Sequence, residues 1–246
     1  MVLIIYSDFL RRQDKTGTLL AGRVFKLSGR DLQVNAVKPA TTDMWDTIHH
    51  ERTALAADLR TLTEPQWATP SLCTGWTVRD VLAHMTATAR TGQAQFVGKF
   101  VAAGFNFKSM QSKDIDSELG SSPAETLSRF NSVLNSSKHP PGPAHTWLGE
   151  VLVHSEDIRR PLGIQHAYPR DAAVQVADFY KNSNLLIGAK NRISGLRLRA
   201  TDIDWSHGEG PEVSGPIVSL VVAMTGRKAV LDDLAGEGVA TLRSRA

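Results

Sequence analysis

Three ionisable residues share one short segment. In HTWLGEVLVHSEDIRRPLG, residues 145–163, Glu150, His154 and Asp157 are interleaved with Trp147, Val151 and Ile158. At 100° per residue a helix gathers the three in one sector directly beside the apolar one, so they are expected to be at least half buried. Buried carboxylates and imidazoles are costly unless they are paired or bound to a metal. Glu150 and His154 stand four residues apart, the spacing at which two side chains of one helix converge on a single ion. An ordinary surface Glu–His contact uses the same spacing. Asp157, three residues beyond His154, suits a carboxylate that accepts a ring N–H and equally a plain helix-surface charge. The lone cysteine, Cys73, has no charged neighbour in sequence that would make it a nucleophile and reads as a small core residue.

These groups need a scaffold, and the hydrophobic periodicity supplies one. MWDTIHHERTALAADLRTL from Met44 places Ile48, Leu55, Leu59 and Leu62 on one helical face, with Thr42 or Asp43 as cap. A second helix is expected over WTVRDVLAHMTATARTGQAQFVGKF, with Thr77 and Asp80 as a capping box. Its stripe is Val78, Val81, Leu82, Met85 and Ala89, and His84 falls at the edge. Residues 104–122 read as a polar loop. A third helix follows Ser122 and Pro123, with Leu127, Phe130, Val133 and Leu134 inward. The 145–163 segment is the fourth, stopped by Pro161 and Gly163. Four such helices predict a bundle.

Beyond the turn-rich GIQHAYPR the pattern changes. DAAVQVADFYKNSNLLIGAK reads as a helix, and GLRLRATDIDW as a strand with Leu196, Leu198, Ala200 and Ile203 on one side and a slip near Asp202. VSGPIVSLVVAMTGR reads as a helix with Pro216 in its first turn and Gly226 at its stop, and VLDDLAGEGVATLRS as a helical turn and a final strand. The expected fold is mainly α, a four-helix bundle over 44–168 followed by a small α+β domain over 169–246. Residues 1–43, which lack helical periodicity, are expected to be a poorly ordered extension or the product of a start assigned too early.

Composition excludes several function classes. The 246 residues are 41% hydrophobic and 22% charged, enough for a sizeable core. No apolar run reaches the roughly 20 residues of a membrane span, and MVLIIY is too short for a signal peptide, so a cytoplasmic protein is expected. One cysteine leaves no internal disulfide and no Cys-rich zinc motif, so a metal would need His and carboxylate ligands. The net charge of +3 lies entirely in residues 1–43, and the remainder holds 21 basic and 21 acidic residues. No basic cluster with interleaved aromatics is present there, which argues against nucleic acid as a partner.

The segments LCTGWTVRDVLAHM and WLGEVLVHSEDIRRPLG together resemble the DinB-like four-helix metalloproteins, specifically the mycothiol-dependent maleylpyruvate isomerase family of actinobacteria. The resemblance extends over about residues 44–246, where ATDIDW, SGPIVSL and TGRKAV are similar to that family's small C-terminal domain. It implies that His84, Glu150 and His154 bind a divalent ion, usually zinc, with Asp157 behind them. Three ligands of type His₂Glu leave a fourth position open for water or a thiol. A coordinating thiol loses its proton, so the nucleophile would come from a low-molecular-weight cosubstrate, mycothiol. Thiolate addition to a small electrophile gives a transferase if the bond is kept, and a cis–trans isomerase if the adduct rotates and expels sulfur. Arg227, matched to the family's GR turn, is the catalytic candidate for holding a carboxylate-bearing substrate, although an arginine at a helix C-terminus also complements the dipole. A metal-dependent hydrolase and a non-enzymatic metal-binding or stress-response module are the competing classes. His49 and His50 read as surface residues, and the chain as a monomer or homodimer.

Overall fold

The computed structural model describes residues 43–246 except Leu186. The expectation for the leader therefore lies outside the described residues, apart from Asp43. That residue caps the first helix, α1 (Met44–Leu59), its side chain accepting from the Trp45 backbone N–H at 3.2 Å. After a single turn, α2 (Glu64–Trp67), the capping box opens α3 (Val78–Arg90). Thr77 Oγ1 accepts from the Asp80 N–H, and the Asp80 carboxylate accepts from the Thr77 N–H at 2.8 Å. All five stripe residues of α3 are buried.

The helix stops at Thr91 and Gly92, so the long second helix expected from sequence is two. The second piece, α4 (Gln93–Ala102), buries none of its residues. The expected polar loop is corrected as well: α5 (Phe107–Leu119) occupies it, capped by Asn106 and anchored on α3 by Met110 and Ile115. Arg79 ties α3 to the corner after α5, donating to the Leu119 and Gly120 carbonyls at 2.9 Å. Then α6 (Pro123–Asn131) starts at its Ser122 cap, and α7 (Ala144–Arg159) carries the ionisable segment. Helices α1, α7, α3 and α6 pack in that cyclic order and close the bundle.

Helix α8 (Arg170–Tyr180) packs on α7, and a single turn, α9 (Ala189–Arg192), leads into the sheet. Its central strand β1 (Arg197–Ala200) pairs antiparallel with β2 (Ser206–His207) and parallel with β3 (Glu212–Gly215), Leu198 facing His207 on one side and Val213 on the other. The strand ends before Ile203, because Asp202 turns away to accept the backbone N–H of Ile217 at 2.8 Å and cap α10 (Ile217–Met224). The first residues of VSG belong to β3 and not to the helix. A 3₁₀ helix (Lys228–Asp233) follows, and the expected final strand is instead helix α11 (Val239–Arg245), which buries only Leu242. One apolar core runs from Ile48 in α1 through Val151 in α7 to Val221 in α10. None of the described helices is long and apolar enough to cross a membrane.

Candidate active site

Helix α7 packs against α1, α3, α8 and α10, so nearly its whole circumference is buried, polar residues included. Glu150, His154 and Asp157 therefore lie inside the protein, where water cannot compensate their charge. His154 and Glu150 open onto a cavity of about 340 Å³ that His84, Tyr180 and Arg227 also line. The imidazoles of His84 and His154 meet edge to face with ring centres 4.9 Å apart, and Trp76 backs His84 at 5.2 Å. Gly149 lets Tyr180 into this wall: a Cβ there would stand 2.3 Å from the phenol oxygen.

Behind His154 lies a closed polar cluster. The ring Nδ1 bonds Asp157 Oδ2 at 2.8 Å. The same carboxylate is forked by Arg227, whose Nε donates to Oδ1 at 3.1 Å and Nη2 to Oδ2 at 2.9 Å. Cys73 completes it, donating to Asp157 Oδ2 at 3.0 Å and accepting from Arg227 Nη2 at 3.3 Å. The loop before α3 holds the thiol in place, because Leu72 N–H bonds the Asp157 carbonyl and Cys73 N–H bonds the Ser71 hydroxyl. Asp157 is fully buried and Arg227 only partly exposed: burial opposes both charges, but their mutual pairing and the His154 contact hold the carboxyl well below its usual range and the guanidinium above its own.

On the cavity side the situation reverses. Both Glu150 carboxylate oxygens are buried and neither has a hydrogen-bond partner. Burial pushes its carboxyl upward, and the charges of His154 and Arg52, with the nearby Thr88 hydroxyl, only partly offset that. Arg52, itself buried on α1, spends one nitrogen on the Ser136 carbonyl at 2.7 Å. The two histidines are driven apart. For His84 burial and the neighbouring His154 charge lower the value to about 3, leaving a neutral ring. For His154 burial is outweighed by Asp157 and Cys73, which raise the value to about 10.

The donor chemistry fits a divalent cation. With Nδ1 of His154 engaged by Asp157, its lone pair is directed through Nε2, the carboxylate-histidine arrangement common behind metal ligands. His84 is neutral, and Glu150 is a buried carboxylate without a partner. Among the described residues, the ligand-type atoms that lie within 4.8 Å of one another belong to Cys73, His154 and Asp157, a set that could hold an ion; His84 and Glu150 stand outside that set and line the cavity beside His154. The guanidinium of Arg227, in contact with two of those three, places a positive charge where that ion would sit.

His49 and His50 do not line the cavity; His49 meets Ser137 at 3.3 Å and His50 is exposed. Sequence reading missed the setting of Cys73, whose partners lie 81 to 154 positions away, and gave no role to Tyr180.

Comparison with known proteins bears on this site. Residues 48–136 match the family described as Mycothiol maleylpyruvate isomerase N-terminal domain. No curated protein matches. Two solved structures share the fold, the mycothiol-dependent maleylpyruvate isomerase and a histidine-to-alanine mutant of mycothiol-dependent maleylpyruvate isomerase, with TM-scores of 0.55 and 0.54. Each is 14% identical to this chain, of which 79% is covered, against 91% of the solved chain. Residues 48–136 are therefore similar to that N-terminal domain, and the described residues share the fold of the two solved structures.

Proposed function

We propose that this protein is a cytoplasmic, divalent-metal-dependent enzyme that adds a low-molecular-weight thiol, mycothiol, to a small electrophile. The observation that carries the reading is the buried, unpartnered Glu150 carboxylate beside His154 and His84 on one cavity. A carboxylate in that position calls for a cation, and no protein group supplies one at bonding distance. His84, Glu150 and His154 would hold the ion, zinc by the donor set, and it would lower the pKa of a thiol bound at the remaining position.

The chain's own residues do the rest. Asp157 fixes the His154 tautomer and ring angle, and Arg227 holds Asp157 in place. Trp76 and Trp147 shield the histidine pair and the Glu150 carboxylate from bulk water, which strengthens every charge interaction inside. The thiol sulfur attacks the electrophilic carbon. An adduct that is kept makes the reaction a transfer, and an adduct that rotates and expels sulfur makes it a cis–trans isomerisation.

The test is bound zinc per chain together with the rate of thiol addition to an activated alkene, for His154→Ala beside the unmodified protein. The variant is expected to fold, since the apolar stripes are untouched, and to lose both zinc and rate. Loss of zinc with retention of rate would place the chemistry on another group. Zinc binding without acceleration by the unmodified protein would make this a metal-binding module and not an enzyme.

A further inference from the structure

We infer that the electrophile taken by this cavity is uncharged and carries an apolar group the size of a ring, in place of a dianionic acid of the maleylpyruvate type. The inference rests on the thiol-addition reading above and deepens it by naming the substrate class.

Charge is the first ground. Among the described residues lining the cavity, Arg227 is the one permanent cation, and it is already committed. Two of its three nitrogens fork the buried Asp157 carboxylate, and the third is directed at the Thr225 carbonyl at 3.4 Å. The other edge of the guanidinium, Nη1 with Nη2, is turned to the Thr225 carbonyl and to the Cys73 sulfur at 3.3 Å, so it does not face the cavity as an open fork for a second carboxylate. The wall adds Asp114 and Glu150, both acidic. Lys99, near the rim, is bound to Asp114 at 2.7 Å, and Arg52 lies behind Glu150. A dianion entering here would lose hydration at both ends and find no free cation among the described side chains, while the charge of the proposed ion would already be balanced by Glu150 and the thiolate, leaving a penalty of several kcal/mol for each carboxylate.

The second ground is the apolar wall. The same cavity is lined by Phe96, Phe107, Met110, Trp147, Val153 and Ile187. Phe107 is 45% exposed, and α4, which carries Phe96, buries none of its residues. Rings left wet at a cavity mouth gain by covering an apolar ligand, about 25 cal/mol for each Å² removed from water. A hydrophilic thiol such as mycothiol offers nothing to that surface, so it falls to the second substrate. The volume of about 340 Å³ suits a small molecule.

The step balances without an oxidant. The sulfur lone pair forms a bond to the β-carbon of an α,β-unsaturated ketone, the π pair moves to the carbonyl oxygen, and the resulting enolate carbon takes up a proton equivalent to the one the thiol released to solvent.

Calorimetric binding of two unreactive analogues to the zinc-supplemented full chain tests this. 4-Phenylbutan-2-one is expected to bind at least about tenfold tighter than succinate. Phe107→Ser, at an exposed position, should weaken the ketone by about tenfold through lost contact area and leave succinate unaffected. Val97→Ser, exposed and outside the cavity lining, should change neither. Succinate binding equal to or tighter than the ketone, failure of both to bind, or indifference to Phe107→Ser overturns the inference. Thiolate absorbance with mycothiol is followed in the same samples: its absence while the ketone binds would remove the thiol-addition reading and leave the cavity's preference standing.

Discussion

Asp157 and Glu150 are carboxylates on the same helix, two turns apart, both inside the protein, and they are treated in opposite ways. Asp157 receives four hydrogen bonds, from His154, Cys73 and two nitrogens of Arg227. Glu150 receives none at either oxygen. Burial costs both groups the same kind of hydration energy, so the difference lies in who repays it. The protein satisfies Asp157 internally and makes it a strut. Glu150 has no such strut, and His154, between them, takes its orientation from Asp157 and, on the proposed reading, would share an ion with Glu150.

That contrast can be broken most severely on the saturated side. Asp157→Asn leaves the largely enclosed Arg227 without its counter-ion, and a loss of about 2–4 kcal/mol is expected in urea unfolding of the metal-free protein, somewhat below the full cost of opening a buried pair because Arg227 keeps some contact with water. An unchanged midpoint would mean that water reaches the cluster. On the other side, Glu150→Gln should leave metal-free stability unchanged or raise it by up to about 1 kcal/mol, because a neutral amide is cheaper to bury. Zinc affinity should fall about 100-fold, roughly 2.7 kcal/mol. Comparable destabilisation by the two substitutions would erase the distinction.

Protons give a gentler probe. His154 holds its proton up to about pH 10 in the metal-free protein, so an arriving cation must displace it. Apparent zinc affinity should therefore rise with pH between 6.5 and 10, by at most about tenfold per unit, and the slope should vanish in Asp157→Asn. Zinc titrations at stepped pH measure it, and a flat profile would show that His154 is neutral before the metal binds. The smallest effect is expected from Cys73→Ser. A hydroxyl can still donate to Asp157, so the cost should stay below about 1 kcal/mol with thiol addition retained. If addition stops, Cys73 and not the cosubstrate is the nucleophile.

How far the sequence disclosed all this depended on whether the deciding contacts were local. The caps at Asp43, Thr77 and Ser122 and the stripe of α3 follow from spacing within a few residues, and they stand where the spacing placed them. The burial of Glu150 and Asp157 beside Trp147 and Ile158 followed from helical phase alone. Helix α5 did not, because its buried face alternates apolar and charged residues, Met110, Ile115 and Glu118, and its Lys and Ser residues read as loop. Helix α11 keeps a single buried residue, which cannot distinguish a period of 3.6 from one of 2. Cys73 looked inert because its partners are distant in the chain, and long-range pairing leaves no local pattern. Asp202 was visible as an interruption of alternation, though its role as the cap of α10 was not.

The Arg227–Asp157 contact also imposes an order of events during synthesis. His154 is set by Asp157, three residues on, but Asp157 acquires its guanidinium partner only when Arg227 has left the ribosome, 70 positions later. At 5–20 residues per second that is an interval of roughly 4 to 14 seconds. During it the bundle helices can form while the imidazole still rotates freely and Asp157 lacks its arginine. A nascent chain that met zinc in that interval would present a looser and less selective set of donors than the finished protein. The arginine therefore acts as a late clasp, and the proposed ion would be best captured by chains that have already folded past it.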